Sequence, residues 1–144
     1  MSRIKQDTTM RIENIKFRAK RTDDGAWVYG DLTHVQRICT KEQTEKSGRR
    51  TEPAVRIANY NVDEQTIGQY TGLKDKNGRE IYEGDILCYR DAKFQTHIVY
   101  HNGGFYFSHF GGTTFTAIGD HEINKYTVVG NIYDNKELLT QGYE

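Results

Sequence analysis

The five histidines and two cysteines are the residues of this chain that could bind a metal. His97 and His101 share one face of a predicted strand, where residues four apart are separated by about 13 Å, too far to share one ion. The triplet Asp120-His121-Glu122 offers oxygen and nitrogen ligands, but such a polar triplet is more typical of a solvated turn. Cys39 and Cys88 lack the spacing of metal ligands. Because zinc needs three or four converging ligands, we expect neither a metal nor another cofactor.

Acidic residues offer a second route to chemistry. Glu80, Glu83 and Asp85 could pair for general acid–base catalysis, but nothing in the sequence assigns them different roles, and we interpret them as turn and surface carboxylates. Asp75–Gly78 is similar to the start of a calcium loop, yet the acidic residue required at the twelfth position is replaced by Ile86. Phosphate-binding and nucleophile-elbow motifs are absent. The sequence therefore identifies no catalytic residue and no small-molecule site.

The best binding candidate is the outer face of a hairpin near the N-terminus. Ile15–Lys20 alternates apolar and basic residues, Thr22–Gly25 is a turn signal, and a second strand is predicted over Ala26–Val35. A loop of two or four residues is favoured, because a three-residue loop would bury Asp31 without a partner. This register places three pairs of residues on the inner face: Ile15, Phe17 and Ala19 with Val28, Gly30 and Leu32. The outer face then carries Lys16, Arg18 and Lys20 beside Trp27, Tyr29 and Asp31, and the first five of these are the candidate contact residues.

This outer face has two interpretations. Cations beside aromatic rings are typical of surfaces that bind single-stranded nucleic acid or a protein partner. The structural alternative is cation–π pairing on an ordinary sheet, or burial of Trp27 under a neighbouring element, and we favour it. The twenty basic and twenty acidic residues also cancel, so net charge gives no general attraction to nucleic acid.

Other patterns predict a β-rich domain over residues 10–144, preceded by a flexible extension at Met1–Thr9. Thr40–Glu52 contains no apolar residue larger than threonine and is predicted to be a mobile loop. Val55–Tyr60 is predicted to be a short strand, and Asn61–Glu64 can begin one helical turn.

The second half of the chain contains the clearest hairpin signals. Lys74–Arg79 is a predicted polar hairpin tip. The strands Phe94–His101 and Gly104–Phe110 flank Asn102 and Gly103, which suit a type I′ turn that pairs Ile98 and Tyr100 with Phe105 and Phe107. A strand at Thr113–Ile118 follows, then a final strand at Tyr126–Tyr133 with a bulge at Gly130, then a short helix capped by Asp134. We predict a small barrel or two packed antiparallel sheets, with one or two short helical turns.

The cysteines also indicate a compartment. The sequence shows neither a secretory signal nor an apolar run long enough to span a membrane, so free thiols in a reducing cytoplasm are expected.

Three blocks of the sequence resemble the YopX family, small proteins encoded by bacteriophages, prophages and other mobile elements. The blocks are Ile15–Arg21 with Trp27–Leu32, then Gln69–Leu87, then Val128–Leu139. The resemblance implies a largely β protein from a phage or integrated element, located in the cytoplasm of a bacterial host. The family has no established biochemical role, so it supplies no catalytic residues.

Three functional hypotheses follow. The first is a non-catalytic interaction module that binds a phage or host protein or associates with itself, because exposed strand edges and tyrosine-rich faces suit such contacts. The second is a module that binds single-stranded nucleic acid, and the third is an enzyme of unknown type.

Overall fold

The computed structural model describes residues 11–90, 95–109, 114–118 and 123–141. These residues form twelve strands in antiparallel sheets and two short helices, which confirms the predicted mainly β class. The chain divides into two compact units, an N-terminal unit over Lys16–Ile67 and a C-terminal unit from Gly68 onward that also includes the residues before Lys16. One domain over residues 10–144 stays a prediction. The predicted extension Met1–Thr9 and the triplet Asp120-His121-Glu122 lie outside the described residues.

The strands of the N-terminal unit curl back on themselves. Its elements are β1 (Phe17–Lys20), β2 (Trp27–Gly30), β3 (Leu32–Ile38), α1 (Lys41–Ser47), β4 (Thr51–Ile57), β5 (Tyr60–Asn61) and a 3-10 turn at Glu64–Thr66. β1 pairs with β2, β3 pairs with β4, and β4 pairs with β5. A bridge between Arg21 and Val62 then brings the chain back beside β1. The curl encloses a small core of Ala19, Ile57 and Val62.

The first hairpin has the register that was predicted for a loop of two or four residues. Phe17 lies opposite Gly30, and Ala19 lies opposite Val28. The Arg21 N–H donates to the Ala26 carbonyl at 2.9 Å, which leaves a four-residue loop. The predicted continuous strand over Ala26–Val35 is interrupted, because Gly30 has a φ of +148° that L side chains rarely adopt and the chain turns there into β3.

Thr40–Glu52 was predicted to be a mobile loop, but the structure contains a helix within this segment. α1 begins after Thr40, whose hydroxyl accepts from the Gln43 N–H while the Gln43 side chain accepts from the Thr40 N–H. This capping box and the left-handed Gly48 satisfy main-chain groups at both ends of the helix. None of its residues is buried, so local hydrogen bonds take the place of an apolar stripe.

The C-terminal unit is organised around one five-stranded sheet. Its elements are a 3-10 turn at Ile12–Asn14, then β6 (Gly68–Lys74), β7 (Glu80–Tyr82), β8 (Asp85–Tyr89), β9 (Gln95–His101), β10 (Gly104–His109), β11 (Thr114–Ala117), β12 (Tyr126–Asn131) and α2 (Glu137–Gln141). β6 and β7 form a hairpin, and the five-stranded sheet has the order β11-β10-β9-β8-β12. Its core contains Ile81, Leu87, Ile98, Phe107, Ile123 and Val128.

The β9–β10 hairpin confirms the predicted turn and register. Asn102 and Gly103 both have positive φ angles, +46° and +84°, as a type I′ turn requires. Phe105 pairs with Tyr100, and Phe107 pairs with Ile98. Ile98 and Phe107 enter the core, whereas Tyr100 is 56% exposed because it lies near the hairpin tip.

In β12 and the helix that follows, the predicted bulge is confirmed, but the helix begins later than predicted. The pairing of β12 with β8 shifts between Val128 and Gly130, as the glycine predicted. Asp134 does not cap α2, which begins only at Glu137. The reason is an intervening turn, in which the Asn131 side-chain oxygen accepts from the N–H groups of Tyr133 and Asp134 at 2.9 Å each.

Two acids assigned to turns or the surface are buried. Asp75 is 6% exposed, and its carboxylate accepts from the N–H groups of Asn77, Arg79 and Val128 at 2.8–2.9 Å. Asp85 is 1% exposed and accepts from the Tyr82 N–H at 2.8 Å. The surface assignment of Asp85 is therefore wrong, and both acids organise the backbone. In the part of the chain described, no helix has the length and apolarity needed to cross a membrane.

A candidate binding groove beside strand β4

The face predicted to contact nucleic acid or a partner contains a cation–aromatic stack. The Arg18 guanidinium lies 4.7 Å from the centre of the Trp27 ring, and the Lys20 ammonium lies 5.5 Å from it. The alternation placed Arg18 on an exposed face, but its side chain is only 3% exposed. Lys16 is partly buried, and Tyr29 is 50% exposed. Trp27 therefore already stacks with cations of its own hairpin, and a contact role for these five residues stays a prediction.

Two adjoining cavities mark a different site, within the N-terminal unit. The larger has a volume of about 550 Å³ and the smaller about 210 Å³. Thr22 and Asn61 line both, so the two cavities form one groove. One wall of the larger cavity contains Arg37, Glu52, Pro53, Ala54 and Val55. The opposite wall contains Thr22, Asn61, Val62 and Glu64.

The groove exists because β5 is much shorter than β4. β5 pairs only with Arg56 and Ile57, so among the described residues the edge of β4 from Thr51 to Val55 has no strand on that side. Beyond Asn61 the chain turns away to bridge Arg21, which leaves a gap along β4. Because β4 is held on its other side by β3 over its whole length, the gap has one rigid wall.

Main-chain groups of β4 face this gap. Ile57 and Tyr60 flank the two-residue turn at Ala58 and Asn59, whose φ angles are +50° and +67°. Residues flanking such a turn exchange main-chain hydrogen bonds, so the N–H and C=O of Ile57 point toward β5. The direction alternates along a strand, and the main-chain groups of Val55 and the carbonyl of Pro53 therefore point toward the gap. Proline lacks an N–H, so it is tolerated at this edge without loss of a bond to β3.

An arginine–tyrosine cluster lies at the end of the groove that contains the smaller cavity. Arg21 donates to both carboxylate oxygens of Asp23, at 2.9 and 2.6 Å, and its guanidinium lies 4.1 Å from the centre of the Tyr60 ring. The hydrogen bonds from Arg21 hold the pKa of the Asp23 carboxyl below its ordinary value, although desolvation opposes them. Asp23 in turn raises the pKa of Arg21. The donors of Arg21 are thus already directed at a carboxylate.

Arg56 also lines the smaller cavity, but its hydrogen bonding differs from that of Arg21. Its Nε is buried and has no hydrogen-bond partner within the described residues. It lies between Thr33 and Asn61 in the sheet register, with no carboxylate directly across from it. By contrast, Arg37 at the far end of the groove pairs with Glu52. Of the three arginines of the groove, Arg56 is therefore the one without an ion pair among the described residues.

This arrangement is suited to binding. The described lining contains no histidine or cysteine, and the described residues contain no group of three or more metal-ligand side chains. Two of its three acids form ion pairs, Glu52 with Arg37 and Asp23 with Arg21. His101, one of the histidines considered for a metal, instead stacks on Phe115 in the C-terminal unit with ring centres 4.5 Å apart. Cys39 is a free thiol, and the Cys88 thiol donates to the Arg90 carbonyl at 3.4 Å.

The sequence reading missed the groove. Its residues come from five separate segments, and the gap between them depends on how far β5 extends along β4. The available signals were a proline inside a strand pattern at Pro53, which favours an edge, and an arginine, Arg56, between the apolar residues Val55 and Ile57.

The structure shows a β-rich protein with a polar groove beside strand β4. Residues 16–140 match the family described as YopX protein, and the chain belongs to the YopX family, as the three sequence blocks predicted. A similar solved structure is the crystal structure of protein EF1440 from Enterococcus faecalis, which is 28% identical. The match covers 87% of this chain and 97% of that chain, with a TM-score of 0.53. No curated protein matches the chain.

Proposed function

We propose that this protein is a phage- or prophage-encoded, cytoplasmic interaction module that binds an extended segment of a partner protein beside β4. The observation that carries the proposal is the gap along β4, toward which the main-chain groups of Pro53 and Val55 point. A sheet edge with unpaired donors and acceptors binds an added strand through main-chain hydrogen bonds, while neighbouring pockets select side chains.

The dimensions of the groove support such a ligand. From Glu52 to Arg56 the wall extends over five residues, which corresponds to about 13 Å at the rise of a strand. A segment of about five extended residues would span this distance. Pro53, Ala54 and Val55 supply the apolar part of the lining, and charged residues lie at both ends. A short apolar centre with a polar rim is common in protein–protein interfaces.

The charges of the groove favour a protein over nucleic acid. Three arginines, Arg21, Arg37 and Arg56, are balanced by three acids, Asp23, Glu52 and Glu64. A polyphosphate chain would approach these acids closely, and such repulsion weakens binding that depends on phosphate neutralisation. Binding of single-stranded nucleic acid through Trp27 remains the second candidate, and self-association through the same edge is the alternative for the partner.

Hydrogen exchange tests the proposal directly. A random twelve-residue peptide library would be selected on the protein, and the best synthetic peptide added at saturation. The Val55 amide, which faces the gap, should exchange rapidly in the free protein and at least tenfold more slowly in the complex. The Ala54 amide faces β3 opposite Val35 and should be slow in both states, which makes it an internal control. Unchanged Val55 exchange in the complex would exclude strand addition.

Two substitutions test the location. Ala54→Trp fills the groove and should weaken peptide binding at least tenfold, measured by calorimetry. Glu45→Trp introduces the same ring on exposed α1 and should change the affinity less than twofold. Equal affinity of wild type and Ala54→Trp would place the peptide elsewhere. Light scattering at high concentration, with and without peptide, would reveal whether a second copy occupies the edge instead.

A further inference from the structure

We infer that the groove contains a carboxylate subsite at Arg56, so that the segment bound beside β4 carries an aspartate or glutamate at that position. This inference rests on the proposed function and specifies the chemistry of its ligand. Its basis is the contrast between Arg56 and the other arginines of the groove.

The first step concerns the hydrogen-bonding state of Arg56. A guanidinium presents five N–H donors in a planar fork that matches a carboxylate, and burying one of these donors without an acceptor is unfavourable. Arg56 Nε is buried, lacks an acceptor among the described residues, and belongs to a side chain that lines the 210 Å³ cavity. No salt bridge of Arg56 is present among those residues, and a ligand carboxylate in the cavity would pair with the terminal N–H groups of the same guanidinium.

The second step concerns the other cation of the cavity. Arg21 binds both oxygens of Asp23 and stacks on Tyr60, so its donors are directed at an internal carboxylate. Of the two arginines that line the smaller cavity, Arg56 is thus the one whose charge is left for a ligand. The Arg21–Asp23 pair also shows the two-pronged geometry that the subsite at Arg56 would repeat with a ligand.

The third step concerns size and neighbours. A cavity of 210 Å³ corresponds to several water molecules at about 30 Å³ each, enough for a carboxylate with one or two methylene groups. Thr22, Asn59 and Asn61 line it and carry neutral donors that can complete the hydrogen bonding of the second oxygen. Asp23 in the same wall disfavours a second negative charge, which selects a carboxylate over a dianionic phosphate.

Peptide variants test the subsite. In the peptide selected above, the acidic residue nearest Arg56 would be replaced by its amide. This change should weaken binding to wild type at least tenfold and to Arg56→Gln less than twofold, because the variant has already lost the charge. Arg56→Lys should show an intermediate effect, since lysine keeps the charge and loses the fork. Arg49→Gln, outside the groove on an exposed turn, is the matched control and should behave like wild type.

Small anions test the same site without a peptide. Sodium acetate should shift the ¹⁵N–¹H signal of Arg56 Nε saturably, and the signal is assigned by its loss in Arg56→Lys. Methyl phosphate and a twelve-residue oligothymidylate are compared under the same conditions. Binding of either at least tenfold more tightly than acetate would overturn the carboxylate assignment in favour of phosphate.

The outcomes separate the two proposals. If peptides bind beside β4 but show no dependence on an acid or on Arg56, the subsite is wrong and the proposed function stands. If acetate titrates Arg56 but the library gives no peptide, the partner-segment function fails and the carboxylate site stands. If acetate leaves the Arg56 signal unchanged and acids are not enriched in the peptides, the inference fails entirely.

Discussion

At the residue scale, Asp75 shows how a turn residue can organise distant backbone. One carboxylate oxygen accepts from the N–H groups of Asn77 and Arg79 within the β6–β7 hairpin, and the other accepts from Val128 on β12. The last contact joins residues 53 positions apart in the sequence. The local sequence pattern identifies such an aspartate as a turn former, because two of its three partners are close in sequence. The pattern does not reveal the third partner, which is distant.

Replacing Asp75 by asparagine should therefore destabilise the protein. The asparagine oxygen can keep the two turn hydrogen bonds, but its NH₂ group would then face the buried Val128 N–H. Both groups are donors, so this hydrogen bond would be lost. We expect a loss of about 2–3 kcal/mol in the free energy of unfolding, the cost of a buried donor left without its charged acceptor. Urea denaturation measures it, with the exposed Glu45→Gln as the control. A loss below about 0.5 kcal/mol would contradict the assigned role.

Asp23 should give the opposite picture, a small contribution to stability that is lost in acid. Arg21 lowers the pKa of this carboxyl in the folded protein below its ordinary value of 3.8. A lowered folded-state pKa gives stability that is present above the unfolded value and is lost as the pH falls through the folded value. We expect wild type to melt slightly above Asp23→Asn at pH 6 and the difference to decrease as the pH falls below 3.8. Because the Asp23 side chain is 64% exposed, high salt should also reduce the difference. A difference that grows with acid would have the wrong sign.

At the element scale, α1 depends on its ends. The helix has seven residues and no buried side chain, and its N-terminus is closed by reciprocal hydrogen bonds between Thr40 and Gln43. Short helices are marginal without packing, so the capping box should decide whether this one forms.

Thr40→Ala should cost about 1 kcal/mol of local helix stability. Amides in the last turn of α1, such as that of Gly48, which donates to the Thr44 carbonyl, should then exchange about fivefold faster. Glu45→Gln, at an exposed position of α1, keeps the capping box and serves as the control. If both variants exchange alike, the cap does not hold the helix.

The elements also show which features could be predicted from the sequence. The first hairpin and the β9–β10 hairpin were predicted with the observed register, because period-two patterns and turn residues are local signals. α1 was missed because its stretch has no apolar periodicity, although Thr40 and Gln43 carry the capping-box signature. The burial of Arg18 and Asp85 and the gap beside β4 could not be read from the sequence, since each depends on partners far along the chain.

At the scale of the whole molecule, the described residues form hydrophobic clusters of different size in the two units. One cluster of the C-terminal unit contains six buried residues, whereas the cluster of the N-terminal unit contains three, Ala19, Ile57 and Val62. A small unit buries a smaller fraction of its surface and has little stability to spare. The groove is built on this smaller unit, so its walls depend on few side chains.

Ile57 is the test of that dependence, because it is fully buried and lies on β4, the rigid wall of the groove. Ile57→Ala should lower the free energy of unfolding by about 2–4 kcal/mol, since the cavity left behind adds to the lost burial. Fluorescence of Trp27, the single tryptophan, reports on this unit. Ile38→Ala on β3, where the side chain is 81% exposed, should change the midpoint little. Equal effects of the two substitutions would show that the small core does not stabilise the wall, and strand addition beside β4 would then lack its rigid template.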